Sequence, residues 1–229
     1  MPALPIVELR RYRLVPGGRD TLVALFEREF LESQDAVGAH VLGQFELQGE
    51  PDQFVWLRGF TGMQERKAAL ARFYDGPVWA EHGPKANATM LDSDDVHLLT
   101  VMTPADGFMR PSRPRRPKGA RIAGGSRFVI VLYRLAEGED AAAFDAALRR
   151  HLAETGIDPL ASFETFAGAN DYPRLPVHEG DCVHAVLMRF DSAVGIDAAL
   201  AAPPPALAER LRAAPETLIL SPTPRSLLR

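Results

Sequence analysis

The 229-residue sequence predicts an α+β fold built from two tandem β-α-β-β-α-β units with antiparallel sheets. Three observations predict it. Tyr12-Arg13-Leu14 recurs as Tyr133-Arg134-Leu135, 121 residues later, and a glycine follows each triplet three residues on, Gly17 and Gly138. The apolar stripe Leu22, Phe26 and Phe30 recurs at the same four-residue spacing as Phe144, Leu148 and Leu152, now offset by 122. Around both repeats, strand-period and helix-period segments alternate in the same order.

In the first copy, Ile6 to Leu14 reads as a strand stopped by Pro16-Gly17-Gly18. The helix carrying Leu22, Phe26 and Phe30 ends before Gly38, with Asp20 as its expected N-cap. Val41 to Leu47 and Phe54 to Phe60 form a hairpin around Gly49-Glu50-Pro51-Asp52. Thr61-Gly62-Met63-Gln64 has the form of a capping box, so a helix is expected through about Phe73. A second helical stretch spans Val78 to Met90, and Val96 to Met102 supplies the last strand.

The second copy repeats this order. Arg127 to Leu135 is a strand, and Asp140 is the expected cap of the helix bearing Phe144. Strands follow near Leu160 to Ala167 and Cys182 to Phe190, where Met188-Arg189-Phe190 answers Arg58-Gly59-Phe60. Pro203-Pro204-Pro205 breaks the next helix into pieces near Ile196 to Leu200 and Leu207 to Leu211, and Thr217 to Leu220 closes the unit. The expected organisation is a first domain at 1–103, a linker at 104–126 and a second, diverged domain at 127–229. The linker carries Arg110, Arg113, Arg115, Arg116, Lys118 and Arg121 among prolines. It reads as a solvated, extended connection rather than a basic arm, because Phe108 is its one aromatic residue and bases would need more to stack on.

Composition narrows the function classes. A net charge of −4 gives no general attraction to nucleic acid or anionic membranes, so neither is expected as a partner. The lone Cys182 excludes an internal disulfide and fits a reducing, cytoplasmic setting. No stretch approaches the ~18 apolar residues of a membrane helix. Gly-x-Gly-x-x-Gly, Walker and Gly-x-Ser-x-Gly motifs are missing, so no nucleotide cofactor or serine hydrolase chemistry is anchored. His178-Glu179-Gly180-Asp181-Cys182-Val183-His184 is rich in ligand types, with Cys182 and His184 on one strand face. Its spacing matches no zinc signature, so no metal is assigned, and nothing specifies a haem.

Each four-stranded unit leaves one sheet face bare, and two bare faces can cover each other as an α+β barrel. A tandem chain can do this internally, and pairing with a second chain as a homodimer is also open. The residues here carry a resemblance. Glu8-Leu9-Arg10-Arg11-Tyr12 with Pro16-Gly17, then Leu42-Gly43-Gln44-Phe45, Gln53 to Phe60, Arg66 and Gly76-Pro77-Val78-Trp79, resemble the NIPSNAP family over roughly residues 6 to 103. The second copy resembles the same unit through Tyr133-Arg134-Leu135 and its hydrophobic pattern. The resemblance implies the ferredoxin-like, dimeric α+β barrel superfamily, whose members include cofactor-independent monooxygenases, haem-handling enzymes and, among eukaryotic NIPSNAP proteins, scaffold or trafficking proteins. Arg58 stands where the family usually has an aromatic residue, and Phe60 where it has tyrosine.

Strand alternation puts Glu8, Arg10 and Tyr12 on one face and Val7 and Leu9 on the other. The apolar pair is expected to meet the helices and the polar trio to line the barrel interior. There Arg10 would bind an anionic or carbonyl group, Glu8 would orient it or move a proton, and Tyr12 would donate, unless Glu8 and Arg10 form only a structural ion pair. The second copy has Val129 and Val131 at the matching positions. Trp56 and Arg58 share a face and are candidate ligand contacts, against simple interface packing. Arg66, in a first helical turn where a cation is unfavourable, calls for a specific partner. Trp79 joins the candidates, sharing a helix face with His82, against lid or core packing. The expected function is binding of a small molecule in the barrel cavity, with cofactor-independent chemistry on a carbonyl-containing or aromatic metabolite still open; the alternative is a non-catalytic interaction protein.

Overall fold

The computed structural model describes residues 3–102, 109–121, 125–191, 196–197 and 202–229. In the first copy the elements are β1 (Ile6–Leu14), α1 (Arg19–Leu25), a π-helical turn (Phe26–Phe30), α2 (Leu31–Ala36), β2 (His40–Leu47), β3 (Gln53–Phe60), α3 (Met63–Tyr74), α4 (Pro77–Asn87) and β4 (Met90–Val101). The second has β5 (Arg127–Arg134), α5 (Ala141–Glu154), β6 (Ala161–Thr165), β7 (Val183–Phe190), α6 (Pro205–Ala208) and β8 (Glu216–Pro222). The glycines after the repeated triplet adopt the same left-handed conformation, φ +73° at Gly17 and +77° at Gly138, so the turn repeats along with the sequence.

The eight strands close one antiparallel barrel in the order β1-β3-β2-β8-β5-β7-β6-β4. Each copy keeps its four strands together in the same internal order: β4-β1-β3-β2 in the first and β8-β5-β7-β6 in the second. The seams join β2 to β8 through Leu47 and Leu220, and β4 to β6 through Leu99 and Thr165. A single chain thus closes the barrel, and a closed barrel leaves no strand edge for a partner to extend.

The barrel interior is a packed apolar core. Val7 and Leu9 of β1, Val55 and Leu57 of β3, Phe45, Phe128 and Phe163 all meet there, with the Phe45 and Phe128 rings 5.4 Å apart. This corrects the expected facing of β1. The apolar pair points inward, while Tyr12, with Trp56, packs among the first copy's helices, and Glu8 and Arg10 share that face by alternation. The physical reason is volume: eight strands leave a lumen just wide enough for side chains to fill, and branched apolar residues fill it at least cost.

Local expectations met mixed outcomes. Asp140 caps α5, accepting from the N–H groups of Ala142 and Ala143. Asp20 does not cap α1, which begins one residue earlier with Gly18 at its N-cap, and Thr61 does not cap α3, whose N-cap is Gly62. Two of the described linker arginines are tied to the first copy, while Arg113 and Arg121 are exposed as a solvated connection would have them. Arg110 and Arg115 both bind Asp35 at the end of α2, at 2.8 and 3.0 Å. Parts of the linker, Phe108 among them, and most of the helical piece expected near Ile196 to Leu200 lie outside the described residues.

Candidate ligand-binding site

The register of β1 against β3 places Glu8 opposite Arg58 and Arg10 opposite Trp56 on the helix-facing side of the sheet. Glu8, 0% exposed, receives three guanidinium groups: Arg10 at 2.8 Å, Arg58 at 2.7 Å and, from α3, Arg66 at 2.7 Å. Burial alone would push this carboxyl up, but Arg58, Arg10 and Arg66 together hold it far below the usual carboxylate range. A carboxylate stabilised in its charged form by three guanidiniums is a weak base. Its role is to anchor the arginines, and this disfavours the proton-transfer part expected of it.

Arg66 explains its awkward place in the first turns of α3. Its partners are Glu8 on one side and, on the other, Asp171 at 2.7 Å and Asn170 at 3.1 Å, both on the long β6–β7 loop of the second copy. That loop lies over the first copy, with Tyr172, Leu175 and Val177 packed on its helix–sheet core. Arg58 also donates to Gln34 Oε1 at 3.0 Å and stacks over the Trp56 ring at 5.0 Å. Three arginines against Glu8 and Asp171 leave the cluster one positive charge in excess.

Beside the cluster, between sheet and helices, is an aromatic cavity walled by Tyr12, Phe26, Phe30, Trp56, Tyr74 and Trp79, with Gln34 at its polar side. Its free volume is about 20 Å3, close to the room one water occupies. Two of its lining residues carry donors. The Trp56 indole N–H is buried with no acceptor among the described residues. The Tyr12 hydroxyl accepts from Arg10 Nε at 3.1 Å, leaving its own proton to donate, and burial pushes its pKa up despite Arg10, so that proton is retained. The π-helical turn supplies Phe26 and Phe30 to the wall; such turns recur at functional sites. Trp79 rests on Gly83 of α4, where an added Cβ would lie 2.7 Å from the indole. His82 points elsewhere, 3.7 Å from Glu29.

The structure therefore brings Glu8, Arg10, Tyr12, Trp56, Arg58 and Arg66 into one region, with Trp79 on the wall of the adjoining cavity. Sequence reading missed Gln34, Tyr74 and Asp171, which come from other helices or the other copy and carry no local signal. The second copy lacks the site. Val129 sits opposite Met188, and Val131 opposite Val186, in the same register that pairs Glu8 with Arg58 and Arg10 with Trp56. These four side chains belong to an ordinary apolar sheet–helix core. The histidine-rich stretch also divides: Cys182 is exposed, while His184 is buried 3.2 Å from Asp145.

A sheet of this order, doubled in one chain and closed face to face, defines an α+β barrel of tandem ferredoxin-like units. Within that class, residues 7–104, which make up the first unit, match the NIPSNAP family model. None of the curated proteins matches. Among solved structures, similar folds include a candidate monooxygenase from Lactobacillus acidophilus NCFM, 12% identical over 96% of this chain and 94% of the other, with a TM-score of 0.58. An anthrone oxidase-like protein is 12% identical over 98% and 94%, with a TM-score of 0.59. A candidate monooxygenase from Fusobacterium nucleatum is 8% identical over 97% and 94%, with a TM-score of 0.58. Among the described residues no helix is long and apolar enough to cross a membrane.

Proposed function

We propose that this protein binds a small aromatic, carbonyl-containing metabolite in the crevice between the sheet and helices of its first unit, rather than in the barrel lumen. The observation that carries the reading is the buried N–H of Trp56, a residue lining an otherwise aromatic cavity, which has no acceptor among the described residues. A buried donor without a partner costs about 1–3 kcal/mol, which a ligand oxygen would recover. Tyr12 supplies a second donor, and Arg10 behind it favours any negative charge that develops on that oxygen. Arg58 and Arg66 belong to the ionic frame that holds Arg10 in place. The same polarisation is what a cofactor-independent enzyme would use to stabilise an enolate or phenolate. The likeness of fold to monooxygenase-type proteins is compatible with that step.

The cavity must widen to admit a ring system, because ligand pockets ordinarily measure ~300–1,000 Å3. Trp79, seated on Gly83 at the outer wall, is the side chain placed to move. Both tryptophans of the chain, Trp56 and Trp79, line the cavity, so tryptophan fluorescence excited selectively over tyrosine reports on this site. Titrating a panel of aromatic ketones should quench that fluorescence saturably, and Tyr12→Phe should weaken the tightest binder about tenfold with the fold intact. If no ligand quenches wild-type protein, and native mass spectrometry finds no retained metabolite, the binding reading fails and the interaction-protein alternative takes its place.

A further inference from the structure

The inward-facing positions of the strands end, at one mouth of the barrel, in a ring of polar side chains. Leu9 is paired with His97 and Arg11 with Asp95 across β1 and β4, and Leu132 is paired with Glu216 across β5 and β8. Leu9 and Leu132 belong to the barrel core, so the polar residues in this register cap it. The β6–β7 loop crosses this mouth. The N–H of His178 donates to the Val96 carbonyl at 2.8 Å, laying the loop along the part of β4 that β6 does not cover.

This crossing brings together three residues from two distant stretches of sequence. His178 Nε2 is 2.9 Å from Asp95 Oδ1, the His97 and His178 rings lie 4.7 Å apart, and one ligand atom from each of the three lies within 4.8 Å of the others. We propose that Asp95, His97 and His178 form a binding site for a divalent transition-metal cation of the zinc, cobalt or iron type at the barrel mouth.

Three features support it. Two imidazoles and one carboxylate are a donor set suited to these metals, and three protein ligands leave positions open for water or a substrate atom. Tetrahedral ligands at about 2.0–2.1 Å from zinc stand about 3.4 Å from one another, so the present spacing needs adjustments of an ångström or so. The other Asp95 oxygen accepts from Arg11 Nε at 2.6 Å, which orients the carboxylate as outer-shell partners of metal ligands do. Arg11 would repel a cation, but it is itself paired with Glu216, which offsets that charge. A groove of about 600 Å3 lined by His178, Glu179, Asp181 and Cys182 gives access from solvent.

A bound ion would also staple the β6–β7 loop to β4, and that loop carries Asp171 to Arg66. The site does not depend on the ligand reading above, and its failure would leave that reading standing.

The experiment is calorimetric titration of tag-free, chelator-treated protein with Zn2+, alongside Co2+ titration followed by visible absorption. The expected result is one site per chain, with the intense visible band of low-coordinate Co2+. His178→Ala and His97→Ala should each weaken binding by about 10–100-fold or more, while His82→Ala should not. His178 is 40% exposed, so its removal leaves the core unchanged even if loss of the buried His97 disturbs the fold. Absence of binding by wild-type protein at submillimolar metal, or equal binding by wild type and His178→Ala, would overturn the proposal.

Discussion

Glu8 on β1 and Arg66 on α3 meet at 2.7 Å with neither side chain exposed, so a salt bridge spans the sheet–helix interface where an apolar contact would ordinarily lie. Around it, Arg10 and Arg58 complete a cluster in which one carboxylate neutralises part of three guanidiniums. Such a network is a poor source of net stability and a strong source of fragility: breaking it strands buried charge, while replacing it whole need cost nothing.

Removing only the anion should therefore be severe. Glu8→Gln leaves Arg10, Arg58 and Arg66 facing a neutral amide, and unfolding in urea should show a loss of about 3–5 kcal/mol. A loss under about 1 kcal/mol would mean that water or Asp171 already carries the neutralisation.

Replacing the cluster as a unit should behave differently. The second copy solves the same geometry with Val129, Val131 and Met188. The combined variant Glu8→Val, Arg10→Val, Arg58→Met and Arg66→Leu should fold, with stability equal to wild type or up to a few kcal/mol higher. The same variant should lose the saturable tryptophan quenching, since Tyr12 would no longer be held by Arg10.

Acid should reach the wild-type cluster in a definite direction. The folded pKa of Glu8 lies below its ordinary value of 4.5, so the unfolded chain takes up the proton first. The stability it confers is complete above about pH 4.5 and declines as pH falls below that. Urea midpoints measured between about pH 6 and 3 should fall more steeply for wild type than for the combined variant, which lacks this carboxylate. Parallel slopes would remove Glu8 from the acid response.

The β6–β7 loop is pinned to the first copy through Asp171. Asp171→Ala should cost only about 1–3 kcal/mol, because the buried Arg66 loses one charged partner but keeps Glu8 and Asn170. It should nevertheless speed tryptic cleavage after Arg174, an exposed residue in the same loop. Unchanged cleavage would show that Tyr172, Leu175 and Val177 hold the loop unaided.

Much of the fold was legible because it is written locally. The repeated triplet, the repeated glycine and the repeated helical stripe are each properties of a few consecutive residues, and the duplication follows from their matching offsets. Alternation also named correctly which residues share a face: Glu8 with Arg10 and Tyr12, Trp56 with Arg58. The inequality of the copies was visible too, since Val129 and Val131 stand where Glu8 and Arg10 do.

What alternation could not say is what lies opposite each face. A period of two separates Val7 and Leu9 from Glu8 and Arg10 but carries no label for lumen or helix. That assignment depends on volumes contributed by strands more than a hundred residues away: Phe128 and Phe163 of the second copy fill the lumen, so the polar trio turns outward to the helices. Asp171 reaching Arg66, and His178 reaching Asp95 and His97, are likewise consequences of barrel closure. By itself the sequence determined the repeat, the strand faces and the copy that kept its charges. Only the tertiary structure decided where those charges point and which residues meet them, because contacts between distant segments are made by packing and leave no trace in local spacing.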